Sequence, residues 1–240
     1  MKLQKTGVIS AVLVVMAISA QAQYSNPATL SGNGNTGFGG SVGNGTLGIT
    51  DNGTSVTFTL NSGAGSLGND LVLYIDSVAG GFSSTAGFND NADGGRSAVS
   101  GYSSATQQSI LTFASGFAPN YAVDIGPTYA SLFGLANGGA SSLNYITGTG
   151  QTGSPYSLTV PLVDLGLTAD AGQSFEVFGT LVSESGYRSD EAIAGNDSGT
   201  QGWNPFTQTS FVTYTTVPEP STIALGAAGL VTLLAVRRRH

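Results

Sequence analysis

The sequence predicts an all-β fold, a single antiparallel β-sandwich or jelly roll, flanked by an N-terminal signal helix and a C-terminal transmembrane helix. Three observations predict it. Glycine takes 36 of 240 positions, about twice the usual share, and with Ser, Thr and Asn it breaks helices and fills turns. Charged residues make up 9%, against roughly a quarter in ordinary domains. Short apolar runs of strand length recur from residue 54 to 216, with Gly, Pro, Asn or Ser between them and no helical periodicity.

Residues 1–22 read as a signal peptide. Lys2 and Lys5 give the positive region, Val8 to Ile18 the apolar core, and Ala20-Gln21-Ala22 the small-x-small cleavage site. The body spans 23–216. Its first part, 23–53, is rich in Gly and Asn and has few residues to bury, so turns, short edge strands or partial disorder are expected there. Thr54 to Asn61 alternates cleanly, with Val56, Phe58 and Leu60 on one side. Asp70 to Asp76 is apolar on both faces and reads as a central strand.

Further strands are expected over 110–113, 121–125, 129–135, 143–147, 156–162, 174–182 and 210–216, with a few residues of helix near Ala105 to Gln108. About nine short strands without intervening helices make one sandwich domain. Gly32-x-Gly34-x-x-Gly37 matches a dinucleotide fingerprint in spacing, but no strand precedes it and no helix follows.

The chain then changes character at 217–240. Val217-Pro218-Glu219-Pro220-Ser221 forbids continued helix or ladder pairing, since each proline lacks a backbone donor. The apolar run 222–236 holds 15 residues, about 22 Å of helix, short of the roughly 30 Å of a hydrocarbon core. Arg237, Arg238 and Arg239 follow, within a 237–240 cluster ending at His240, and act as a membrane stop that keeps this end cytoplasmic.

This order of Pro-Glu-Pro, short apolar helix and arginine cluster resembles the PEP-CTERM sorting tail of Gram-negative, biofilm-forming bacteria. The resemblance implies that Val217, Pro218, Glu219 and Pro220 form the motif read by a membrane-embedded, exosortase-type sorting peptidase. It implies transient anchoring in the inner membrane, then transfer to the cell surface or extracellular matrix. Asp70 to Asp76 and Tyr156 to Leu167 also resemble strands of secreted family 9 and DOMON-like carbohydrate-binding sandwiches. That likeness implies polysaccharide as a partner and transfers no contact residue.

Charge and missing residue types exclude several functions. Residues 23–216 carry 13 carboxylates against Arg96 and Arg188, a net charge of −11. With no basic patch, a nucleic-acid partner is excluded. The body has no Cys and its histidine count is zero, because His240 is the only one. Thiol chemistry, a Ser-His-Asp triad and His-bound zinc are therefore excluded. A carboxylate pair is what remains for catalysis, with Glu176, Glu184, Asp190 and Glu191 as the candidates.

A solvated acidic turn explains the last three more plainly, and Glu176 is expected to face solvent. No enzyme is expected, and no cofactor beyond a candidate calcium ion. Asn89, Asn91 and Asp93 place oxygen ligands at alternate positions before Gly94-Gly95, as in the front half of an EF-hand loop, but the twelfth position is Ser100 rather than Glu. Tyr187, Trp203 and Phe206 lie in glycine-rich sequence and are candidate stacking surfaces for a sugar ring. The expected function is thus structural or adhesive. A carbohydrate-binding module is the alternative, and a carboxylate glycosidase comes third.

Overall fold

The structure, a computed structural model, describes residues 22–218. The signal-helix expectation for 1–21 and the apolar helix and arginine cluster of 219–240 lie outside the described residues. Among the described residues no helix is long and apolar enough to cross a membrane.

The chain order is β1 (Ala22–Ser25), β2 (Ala28–Ser31), β3 (Thr46–Asp51), β4 (Ser55–Asn61), β5 (Asp70–Asp76), α1 (Gly94–Ser100), β6 (Tyr102–Ser104), β7 (Gln107–Gln108) and β8 (Leu111–Thr112). It continues with β9 (Tyr121–Ile125), β10 (Tyr129–Gly134), β11 (Asn144–Gly150), β12 (Tyr156–Pro161), a 3-10 turn over Leu162–Leu165, β13 (Ser174–Val182), β14 (Arg188–Ile193), β15 (Gly195–Ser198) and β16 (Phe206–Thr215). A small sheet runs β12-β4-β3-β2. A large one runs β1-β16-β13-β5-β9-β10-β11, with β14 joined to β13, and β15 and β8 joined to β16. Among the described residues the named strands pair antiparallel except that β1 and β8 lie parallel to β16, and an isolated bridge between Phe88 and Gly138 is parallel too.

Alternation decides which residues meet. Val56, Phe58 and Leu60 of β4 and Leu47 and Ile49 of β3 are fully buried against Leu71, Leu73 and Ile75 of β5 and Val123 and Ile125 of β9. Phe58 and Phe175 meet edge to face at 6.1 Å across this interior. Each such side chain contributes about 1.5–3 kcal/mol by leaving water. The all-β expectation is met, and the strand edges at 70–76, 121–125 and 174–182 fall where the apolar runs put them.

The second face of the large sheet is buried as well. Val72 and Tyr74 of β5, Ala122 of β9 and Phe178 of β13 pack beneath Ala98 and Val99 of α1 and beneath Phe113 and Phe117. Tyr74 anchors that layer by donating its hydroxyl to the Val99 carbonyl at 2.7 Å. The segment between β5 and β9 therefore folds back as a cover, which explains why Asp70–Asp76 is apolar on both faces.

The expected position of the helix is corrected. The helix stands at 94–100, whereas 102–108 is the two-stranded ribbon of β6 and β7. Asp93 starts the helix by accepting the Arg96 amide at 2.9 Å, and Gly101, left-handed at φ 63, ends it. Capping and burial thus override two unfavourable glycines in the first turn.

Residues 32–45 are ordered around the buried carboxylate of Glu191. Its Oε1 accepts the amides of Phe38 and Gly40 at 2.7 and 3.0 Å, and its Oε2 those of Val42 and Gly43 at 2.9 Å each. The glycine-rich loop thus surrounds a carboxylate of its own chain. A Cβ on Gly43 would fall 2.0 Å from the Asn35 carbonyl, so no larger residue fits that turn.

Candidate functional site

The β5–β9 pairing brings two carboxylates together. Val72 lies opposite Asp124, so Asp70, two residues along β5, projects from the same face of the sheet as Asp124. Ser131 of β10 is the partner of Asp124 on its other side. These residues form the floor of a cleft of about 540 Å³. Its walls are Asp93, Gly94, Gly95 and Arg96 at the start of α1, Glu184 from the β13–β14 turn, and the β9–β10 turn with Tyr129. Phe133 and Tyr145 complete it.

Glycine lets the helix come this close. A Cβ on Gly95 would lie 2.5 Å from Asp124 Oδ2 and 3.7 Å from Asp93 Oδ1, and one on Gly94 would lie 2.9 Å from the Glu184 side chain. Tyr129 and Tyr145 stand at the lip, each 46% exposed, with their hydroxyls 3.1 Å apart.

The electrostatics of the floor are one-sided. Asp70 and Asp124 are 3% and 5% exposed, and Asp70 Oδ2 and Asp124 Oδ1 have no hydrogen-bond partner. Burial pushes Asp70 up to about 7, with repulsion from Glu184 adding to it. Burial likewise raises Asp124 well above the carboxylate range, helped by Asp70, Asp93 and Glu184. Arg96 does not relieve them. Its guanidinium pairs with Asp90 at 2.7 Å and Asp93 at 3.1 Å and lies 5.2 Å over the Phe133 ring.

The residues singled out from sequence sort differently. Asn89 and Asn91 are exposed, Asn91 Nδ2 donates to the Ser103 carbonyl, and Asp93 caps α1. The hub of that turn is Asp90, which accepts the amides of Ser141 at 2.7 Å and Leu143 at 2.9 Å. Burial opposes ionisation of Asp90, but these amides and Arg96 hold its carboxyl below the usual range.

Glu184 is exposed in the cleft wall, whereas Asp190 and Glu191 belong to β14 rather than to a solvated turn. Glu176 is half-buried opposite Asp76, and burial together with Asp76 raises it to about 7; the covering layer over this face replaces the expected solvent. Phe206 is 1% exposed and 5.8 Å from the Arg188 guanidinium in the core, so its ring offers no stacking surface. Trp203 is 36% exposed and sits edge-on to Tyr187 at 4.9 Å.

Sequence reasoning missed Asp70, Asp124, Tyr129 and Tyr145 as a site. The signal was an aspartate inside each of two otherwise apolar strands, DLVLYID and YAVDI. A second hollow, about 520 Å³, lies between Val78, Phe82, Asn120, Tyr121 and Ile146, with Asp164 as its carboxylate.

At the far end, Asp51 holds the root of the tail. Its Oδ2 accepts the Tyr214 hydroxyl at 2.7 Å and its Oδ1 the Val217 amide at 3.0 Å. The chain therefore leaves the folded body at Pro218, which is exposed. Residues 216–239 match the PEP-CTERM protein-sorting motif. The PEP-CTERM motif indicates an exported protein, transiently anchored in a membrane and processed by an exosortase-type peptidase. No curated protein and no solved structure matches the chain, and the likeness of its strands to DOMON-like domains has no support there.

Proposed function

We propose that the body of this PEP-CTERM protein binds extracellular polysaccharide in the Asp70–Asp124 cleft and so serves a structural or adhesive role. Its place is the cell surface or extracellular matrix of a Gram-negative, biofilm-forming bacterium. The observation that carries the reading is the pair Tyr129 and Tyr145, large rings left exposed and joined through their hydroxyls at the mouth of an acidic cleft. Tyrosine faces stack on sugar rings while the exposed Glu184 carboxylate in the wall accepts from sugar hydroxyls. The volume, about 540 Å³, is that of a small-ligand site.

The role is non-catalytic. Asp124 lies beneath Gly95, with the helix turn packed on its carboxylate, rather than standing free beside a bond to be cleaved. Retention of the protein on columns of acidic and neutral polysaccharides tests the reading. Retention lost in Tyr129→Ala and Tyr145→Ala supports it, and unchanged retention in both variants, or none in the parent, sinks it.

A second reading places the sugar on Trp203 and Tyr187, on the strength of the exposed indole and its edge contact. Loss of retention confined to Trp203→Ala would favour it.

A further inference from the structure

We propose that the floor of this cleft is a calcium site built from Asp70 and Asp124, which Asp93 and Glu184 complete. The starting point is an imbalance that the fold itself leaves open. Two aspartates are buried side by side on rigid strands, and each has an oxygen that no donor satisfies. Both orphan oxygens belong to residues lining the same cleft. Leaving a buried carboxylate oxygen unpaired is expensive, so such groups are found with a donor, a proton or a metal.

Among the described residues no protein donor reaches these two oxygens, and Arg96, the cation lining the cleft, already serves Asp90 and Asp93. A shared proton would relieve the repulsion between the two but would leave Glu184, which has no cation of its own, facing the pair. A divalent cation answers Asp70, Asp124 and Glu184 together, with Asp93, shared with Arg96, beside them.

The donor set selects the ion. Every polar side chain around the floor other than Arg96 presents oxygen: four carboxylates, the Ser131 and Thr128 hydroxyls, and the tyrosine hydroxyls. No histidine or cysteine occurs between residues 23 and 216, so soft and borderline metals have no ligand to prefer. Calcium accepts six to eight oxygens in irregular arrangements, whereas magnesium demands a near-ideal octahedron. A floor of two strand-fixed aspartates with two exposed acids on separate loops suits the irregular case.

Among the described residues no three acidic side chains are yet drawn to one point. Binding therefore has to pull Glu184 inward, while Asp93 stays on its cap at the start of α1. Both are exposed, and Glu184 stands on the β13–β14 turn, where a rotamer change disturbs no core contact. The turn at Asn89 and Asn91, where the sequence suggested calcium, contributes only Asp93. The inference rests on the polysaccharide reading only in taking this cleft as the functional one. A bound cation would leave open coordination positions at the foot of the tyrosine pair, where sugar hydroxyls can reach it.

The test uses the purified full-length chain after exhaustive chelation, with calcium chloride as the probe and no glycan present, so its failure is separate from failure of the polysaccharide reading. Calcium should bind with half-saturation between about 0.1 and 1 mM, the range of extracellular sites, and raise the melting midpoint. Terbium should displace it and luminesce on tyrosine excitation, because Tyr129 and Tyr145 stand at the cleft. Asp124→Asn should weaken binding at least about tenfold, a loss of about 1.4 kcal/mol.

Glu184→Gln, an exposed change whose folding is checked by its calcium-free melting midpoint, should weaken binding about threefold or more by removing one ligand charge. No midpoint shift at about 10 mM calcium, well above the range of protein sites, together with no terbium emission from the calcium-free protein, would overturn the proposal. So would equal affinity in the parent, Asp124→Asn and Glu184→Gln, or a shift given equally by sodium at matched ionic strength.

Discussion

Asp70 and Asp124 project from one face of neighbouring antiparallel strands, a single two-residue step apart in register, and each keeps an oxygen without a partner. Around them stand Asp93 and Arg96 from the start of α1, Glu184 from the β13–β14 turn, and Tyr129 and Tyr145 from the lip. In chelator the pair makes the fold pH-sensitive in an unusual direction. An unfolded aspartate titrates near 3.8, and folded Asp70 near 7. Between those values the native state holds more protons than the unfolded chain, so stability falls as pH rises through the window and levels off above it.

The loss, up to about 1.4 kcal/mol per pH unit for each proton held, belongs to Asp70 and Asp124 as a pair. Asp124, Glu176 and Asp197 are shifted upward too and act in the same direction. Urea titrations in chelator at pH 5, 6, 7 and 8 should show the decline, and Asp70→Asn should flatten part of it. A stability that rises over this range contradicts the burial of the pair.

Truncating the lip should separate binding from folding. Tyr129→Ala and Tyr145→Ala remove exposed rings, so each should change the melting midpoint little while weakening polysaccharide binding about five- to tenfold, the worth of one aromatic contact. Calorimetry on a retained polysaccharide gives the affinity and thermal melts give the control.

The two aromatics at 203 and 206 should behave oppositely. Phe206→Ala opens a cavity in the core and should cost about 3–5 kcal/mol, whereas Trp203→Ala, at a partly exposed rim, should cost about 1 kcal/mol or less. Equal losses would place Trp203 in the core as well.

Glu191→Gln tests the carboxylate that orders residues 32–45. One carboxylate oxygen becomes an amide NH2 group facing two N–H donors, so the fold should lose about 3 kcal/mol. Hydrogen exchange at Phe38, Gly40, Val42 and Gly43 should rise more than at the β5 amides. Protection unchanged at those four positions would show that something else holds the loop.

Replacing Pro218, Glu219 and Pro220 by alanine removes the features of the PEP-CTERM motif. The variant should accumulate in the membrane fraction with its C-terminal arginines intact, in cells where the parent is processed and released. Immunoblotting with a tag between the body and Pro218, and a second at the C-terminus, reads this out.

Much of the architecture was legible because it rests on local periodicity. The alternation of Val56, Phe58 and Leu60 and the doubly apolar run at 70–76 fix faces and edges of strands without reference to anything distant. The sorting tail was legible for the same reason, since Pro-Glu-Pro, the apolar run and the arginines are contiguous.

What the sequence determined by itself was therefore the all-β class, the central strands and the PEP-CTERM address. Tertiary structure alone decided that Asp124 lies beside Asp70, that Glu191 is the buried anchor of a loop some 150 residues away, and that Phe206 is core while Tyr129 and Tyr145 are surface. Each of these depends on which strands pair and in what register. Register is a balance of side-chain contacts between segments remote in the chain, and local composition does not encode it.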